Sequence, residues 1–156
     1  AVLIFGSREF YVRQQCQCEF PAIVANQILL DSECEIAVTV GDLLFISGQG
    51  CRDPKTGVEC GLTLDEKGQV LTYDIEEQTR GVLENLGVVL RHAGLDYSDL
   101  VDMTVFLHDM QDFERYNKVY AGYFAGVAVP PTRTTVQVAR LPGRNYIEIK
   151  AIASFG

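Results

Sequence analysis

The sequence predicts an α+β domain, a mixed β-sheet with two helices packed on one face. Three observations carry this. Segments whose apolar residues alternate at period two flank two stretches of helical period, in the order β-β-α-β-α-β-β. A strand, helix, strand succession implies right-handed crossovers, which put both helices on one side of the sheet. The chain's 156 residues are 47% hydrophobic, enough for one core at a length where folding buries roughly two-thirds of the surface.

Residues 1–33 read as an atypical N-terminal leader, and residues 34–156 as one domain. Glu35 to Val40 and Leu43 to Ile46 are joined by Gly41-Asp42, the signature of a tight hairpin. From Gly48 to Tyr73, Asp53-Pro54, Thr56-Gly57 and Lys67-Gly68 mark a long shaped loop with extended pieces at 61–64 and 69–73. Asp74 then predicts a helix N-cap, with Glu77 completing a capping box and Ile75, Val82, Leu83, Leu86, Val89, Leu90 and Ala93 on one face. Gly94 ends that helix. Residues 101–107 alternate as a strand, and Asp112 caps a second helix carrying Phe113, Tyr116, Tyr120 and Phe124. The last strands are expected at 134–139 and 146–153, joined across 141–145. One sheet face is left without a helix to cover it, so self-association is expected.

Charge and motifs narrow the function. Twenty-one acidic residues outweigh 13 basic ones, for a net charge of −8, and no run of Lys or Arg could neutralise a row of phosphates. Nucleic acid and acidic membrane surfaces are therefore disfavoured as partners. No stretch approaches the ~20 apolar residues of a membrane span, and the apolar opening at 1–5 is too short for a signal peptide, so a cytoplasmic location is expected. The five cysteines (Cys16, Cys18, Cys34, Cys51, Cys60) are odd in number and irregularly spaced, which fits buried hydrophobes or surface thiols better than a disulfide framework or a metal set. The sequence contains no GxGxxG, P-loop, HExxH or GxSxG motif. His92 and His108 have no nucleophile at motif distance and read as structural.

Two polar rows in strand context stand out. Alternation sends Arg133, Thr135 and Gln137 to one side of their strand, and Tyr146, Glu148 and Lys150 to one side of theirs. They read either as solvent-facing rows on edge strands or as a forked cation that grips a carboxylate, with a second carboxylate nearby for proton transfer.

The segments Gly41 to Gln49, Thr104 to Leu107, Asp112-Phe113 with Tyr116-Asn117 and Tyr120, Pro131-Thr132-Arg133, and Val138 to Pro142 through Ile147-Glu148-Ile149 resemble the RidA/YjgF reactive-intermediate deaminases over residues 35–153. Asp74 to Arg80, with the long loop before it, is closer to the 2-aminomuconate deaminase branch. The resemblance implies a chorismate-mutase-like fold, a homotrimer whose sheets form an inner barrel, and three active sites in clefts between subunits. It implies that Arg133 binds the substrate carboxylate, that Glu148 positions water, and that Ser47, Gly48, Asn117 and Thr135 line the cleft. It further implies hydrolysis of enamine or imine acids to a keto acid and ammonia, with no cofactor and no metal. Lys150 is the weaker candidate, as a Schiff-base nucleophile. Two departures concern substrate shape: the family's Gly-Pro-Tyr is absent, leaving Cys34 at the tyrosine position, and Thr135 stands where Cys is frequent. The alternative from another class is a trimeric scaffold that binds small carboxylates or proteins without turnover.

Overall fold

Alternating apolar residues do set the strands, as the computed structural model of residues 12–13 and 35–156 shows. Its elements are β1 (Val12–Arg13), β2 (Glu35–Val40), β3 (Leu43–Gln49), β4 (Leu62–Leu64), β5 (Val70–Tyr73), α1 (Ile75–His92), β6 (Leu100–Leu107), α2 (Phe113–Phe124), β7 (Thr132–Gln137) and β8 (Ile147–Ser154). Apart from β1, the leader, and with it Cys34, lies outside the described residues.

Six strands form one mixed sheet in the order β1-β2-β3-β8-β6-β7, in which β6 and β7 run parallel and the other neighbours antiparallel. The pieces read as extended within the long loop become β4 and β5, a separate small hairpin. On one face of the large sheet Leu44, Ile46, Met103, Val105, Leu107, Ile147 and Ile149 are buried. They pack with Val82, Leu83, Leu86 and Leu90 of α1 and with Tyr116, Tyr120 and Phe124 of α2. Each large apolar side chain so buried is worth about 1.5–3 kcal/mol, and together they hold both helices on this face. The other face presents Leu43, Phe45 and Val136, each more than a third exposed, and no described helix covers it.

Helix α1 begins where Asp74 Oδ1 accepts the Glu76 N–H at 2.9 Å. The expected return bond from Glu77 is missing among the described residues, so the cap is single. Its end is a Schellman turn. Gly94 sits at φ +76°, and Leu95 N–H reaches Leu90 O at 2.9 Å, a geometry that favours a residue without Cβ.

Three further expectations are corrected. Asp112 occupies the N-cap position of α2 without capping it: its carboxylate instead accepts the Tyr73 hydroxyl at 2.7 Å. That bond, with the Tyr73 ring stacked on Tyr146 at 3.6 Å, docks the β4–β5 hairpin against the start of β8. Strand β7 starts and stops two residues before the expected 134–139. And β8 lies between β3 and β6, so its polar row stands in mid-sheet and not on an edge.

Candidate active site

Arg133 pairs in register with Met103, which is buried against the helices, so the arginine points to the helix side of edge strand β7. Phe113, Tyr116, Asn117 and Tyr120 recur at the three- and four-residue spacing of one helix face, and that face of α2 meets it. The guanidinium carbon lies 4.4 Å from the centre of the Tyr120 ring, with Tyr116 at 5.6 Å and Phe113 at 6.0 Å. Nη1 donates to Asn117 Oδ1 at 2.8 Å. One edge of the fork is thereby fixed against an uncharged partner, and no carboxylate among the described residues forms an ion pair with it. Two residues on, the Thr135 hydroxyl meets the Tyr116 hydroxyl at 2.7 Å. Arg133 and Thr135 of the polar row thus form one assembly with Asn117 and Tyr116 of α2.

Glu148 belongs to the opposite face. It is in register with Phe106, on the side without helices. The neighbouring strand bulges there: Ile46 pairs with Ala151 and Gln49 with Ile149, so Ser47 and Gly48 together face one residue of β8. Gly48 abuts the Glu148 carboxylate. A Cβ at residue 48 would overlap Oε1 and lie 2.7 Å from Cδ. Half-buried there, Glu148 has its pKa raised by desolvation. Ser47 Oγ accepts from Gln49 Nε2 at 3.4 Å. Lys150 shares the face with Glu148 but is exposed and pairs across to Thr104.

Gly48→Ala is expected to cost about 1–3 kcal/mol in denaturant unfolding, the scale of an overpacked site. Adding Glu148→Ala should recover most of that, since the carboxylate is what the new methyl strikes. Equal losses in the presence and absence of Glu148 would show that the bulge, and not the side-chain contact, requires glycine.

The expected site residues therefore divide into two half-sites that one chain does not bring together: Arg133, Asn117 and Thr135 beside α2, and Ser47, Gly48 and Glu148 on the other sheet face. A hollow of about 450 Å³ between the helices, lined by Arg80, Lys118 and Tyr123 among others, and one of about 250 Å³ beside Tyr73 touch neither half. His92 meets the Val88 carbonyl at 2.8 Å and His108 packs edge-on to Tyr146, both structural roles. No group of three His, Cys, Asp or Glu able to hold a metal occurs among the described residues, and no described helix is long and apolar enough to cross a membrane.

Sequence reasoning missed Gln78. It is fully buried, with Nε2 donating to Cys60 O at 3.2 Å and Arg144 O at 3.1 Å, and Oε1 accepting from Tyr146 N at 2.7 Å. Its place between Ile75 and Val82 in the apolar stripe was the available signal.

Comparison with known proteins identifies the family. A family model described as Endoribonuclease L-PSP matches residues 32–155. The chain belongs to this family, the RidA/YjgF family. A RutC family protein from Pyrococcus horikoshii is 44% identical over 117 residues, covering 75% of this chain and 82% of the relative. The 2-iminobutanoate/2-iminopropanoate deaminase of Mus musculus is 38% identical over 120 residues, covering 77% and 79%. Among solved RidA/YjgF structures, E. coli TdcF with bound serine has a TM-score of 0.69 at 36% identity, covering 81% of this chain and 91% of that one. The E. coli YjgF gene product has a TM-score of 0.67 at 35% identity, covering 79% and 88%. These likenesses bear out the mixed α+β fold with two helices.

Proposed function

We propose that the chain is a cofactor-independent imine deaminase that hydrolyses small 2-imino acids to keto acid and ammonia, in clefts shared between copies of a homotrimer. The observation that carries the reading is Arg133. Its guanidinium is held over the Tyr120 ring and bonded to Asn117, with no ion-pair partner among the described residues, and so is available to receive a carboxylate on two parallel hydrogen bonds. The mouse relative, named for its 2-imino acids, supports this substrate class. The half-sites support the shared cleft: a small substrate can meet both only if one copy sets its β7–α2 edge against the uncovered sheet face of another.

In this mechanism an enamine acid first tautomerises to the imine, moving a proton to carbon. Arg133 fixes the carboxylate and so holds the imine carbon beside a water molecule. Glu148 takes a proton as the water oxygen bonds to that carbon, and Gly48 leaves the carboxylate room to stand there. That proton passes to the imine nitrogen to give the carbinolamine. The carbon–nitrogen bond then breaks as the hydroxyl oxygen becomes the carbonyl of the keto acid, the hydroxyl proton passes by way of Glu148 to nitrogen, and ammonia leaves. Burial that raises the Glu148 pKa above the ordinary carboxylate range makes it a stronger proton acceptor than an exposed glutamate.

Freshly generated 2-iminopropanoate and 2-aminomuconate, assayed side by side for ammonia release, test the reading. The iminopropanoate should be hydrolysed well above its spontaneous rate. Tight binding without acceleration would favour the second reading, a carboxylate-binding scaffold, which the serine held by E. coli TdcF supports. The family description names an endoribonuclease, but a net charge of −8 without a basic run argues against RNA as the substrate.

Light scattering should report about three times the 17.3 kDa chain mass. A stable monomer with full activity would sink the shared cleft.

A further inference from the structure

Outside the proposed site, the chain between β3 and β4 doubles back on itself. Arg52 bridges Glu59 in antiparallel fashion, Asp53 N–H donates to Val58 O at 2.9 Å, and the Arg52 guanidinium reaches the Glu59 carboxylate at 2.9 Å. Cys51 and Cys60 are the residues next to this bridge on its inner side, the position from which a disulfide, spanning about 4.4–6.8 Å at Cα, can close the arm.

The side chains converge as well. Cys51 Sγ lies 3.9 Å from the Cys60 carbonyl, and Cys60 Sγ lies 3.3 Å from the Glu77 carbonyl. Both cysteines press on Gly81 of α1, where a Cβ would stand 2.7 Å from Cys60 Sγ and 3.2 Å from Cys51 Cβ. The glycine keeps the helix surface bare under the pair. Cys51 is only 2% exposed, whereas Cys60 is half-buried and so the more accessible of the two.

We propose that Cys51 and Cys60 are a reversible redox pair, Cys60 reacting with a peroxide and Cys51 closing an intrachain disulfide across the 51–60 arm. The thiolate of Cys60 attacks one peroxide oxygen, the O–O bond breaks, and Cys60 becomes a sulfenic acid while the departing hydroxide leaves as water. Cys51 then loses its proton and attacks the Cys60 sulfur. The S–S bond forms as the sulfenic oxygen departs as a second water. Two thiols are oxidised by two electrons and one peroxide is reduced to two waters.

Electrostatics divides the roles in the same sense. The hydrogen bond from the Cys51 thiol lowers the pKa of Cys60, and that bond, with burial, raises the pKa of Cys51. The disulfide would also act close to the bulge of β3. Cys51 N–H and Sγ both meet Asn145 Oδ1, at 3.0 and 3.4 Å, and Asn145 packs directly on Gly50.

The test uses the full chain with Cys16, Cys18 and Cys34 replaced by serine, alongside the unaltered protein. Each is exposed to hydrogen peroxide, alkylated under denaturing conditions and digested with trypsin, which cuts between the cysteines at Arg52 and Lys55. The expected product is a Cys51–Cys60 cross-linked peptide pair within one chain, with both alkylatable thiols lost and both restored by dithiothreitol. Cys51→Ala should turn the same treatment into a Cys60 sulfenic acid trapped by dimedone. Full alkylation of both thiols after peroxide, oxidation of Cys60 to sulfinic acid beside an intact Cys51, or linkage only between chains would each overturn the proposal. The readout is covalent, so its outcome is independent of deaminase activity.

Discussion

Arg133→Lys is expected to lower kcat/KM for 2-iminopropanoate by about a hundredfold or more, the scale of losing position at a reacting centre. Lysine keeps the charge but not the plane. The guanidinium now stacks 4.4 Å over Tyr120 and donates sideways to Asn117, so its remaining N–H groups point in a fixed direction. An ammonium would be a single mobile point with no second prong. The fold should survive, because Arg133 lies on an edge strand and is partly exposed. Steady-state kinetics on the variant, with light scattering to establish that it assembles like the wild type, checks the expectation. Near-normal turnover by an assembled Lys variant would remove Arg133 from the site.

Glu148→Gln is expected to reduce kcat by about 10²–10⁴-fold, the range for losing a positioned proton-transfer group. Its stability should move the other way. Burial raises the Glu148 pKa, so the folded chain holds this proton more tightly than the unfolded chain does. Stability from this group therefore falls as pH rises from the ordinary glutamate value to the raised one, and the cost of the buried charge is complete above it. At neutral pH glutamine removes that cost, so the variant's Tm should equal or exceed that of the wild type; at acid pH, where the glutamate is already protonated, the two should converge. The acid limb of wild-type kcat/KM should likewise sit above the ordinary glutamate range and vanish with the variant's residual activity. A variant that is both active and less stable at neutral pH would contradict the assigned role on both counts.

Local chemistry was legible where it decided local structure. Asp74, the apolar stripe of α1 and Gly94 fix a helix from Ile75 to His92, and Gly41-Asp42 sets the β2–β3 turn. Strand neighbours were not legible, because alternation says which side a residue faces but not which strand lies beside it. That is why the polar row of β8 could be read as an edge row, although Glu148 stands in mid-sheet. Asp112 shows the same limit at one residue. Its position suited a cap, but a tyrosine brought from β5 takes its carboxylate, and nothing near it in sequence announces that partner. Arg133, Asn117 and the aromatic spacing of α2 could be picked out singly, and the family resemblance grouped them with Glu148. Their division between two sheet faces needed the register of β6 with both β7 and β8.

Gln78 has a bearing on the order in which the chain can assemble. Its bonds to Cys60, Arg144 and Tyr146 span sequence separations of 18, 66 and 68 residues, so α1 can form its turns early and pair the amide nitrogen with Cys60, yet the amide oxygen lacks its partner in the apolar stripe until the final loop arrives. Closing so long a loop is entropically costly, and here its closure is what satisfies the buried Gln78 oxygen. The C-terminal strand thus completes the interior of a helix laid down half a chain earlier, and damage near residues 144–146 should be felt first at the start of α1.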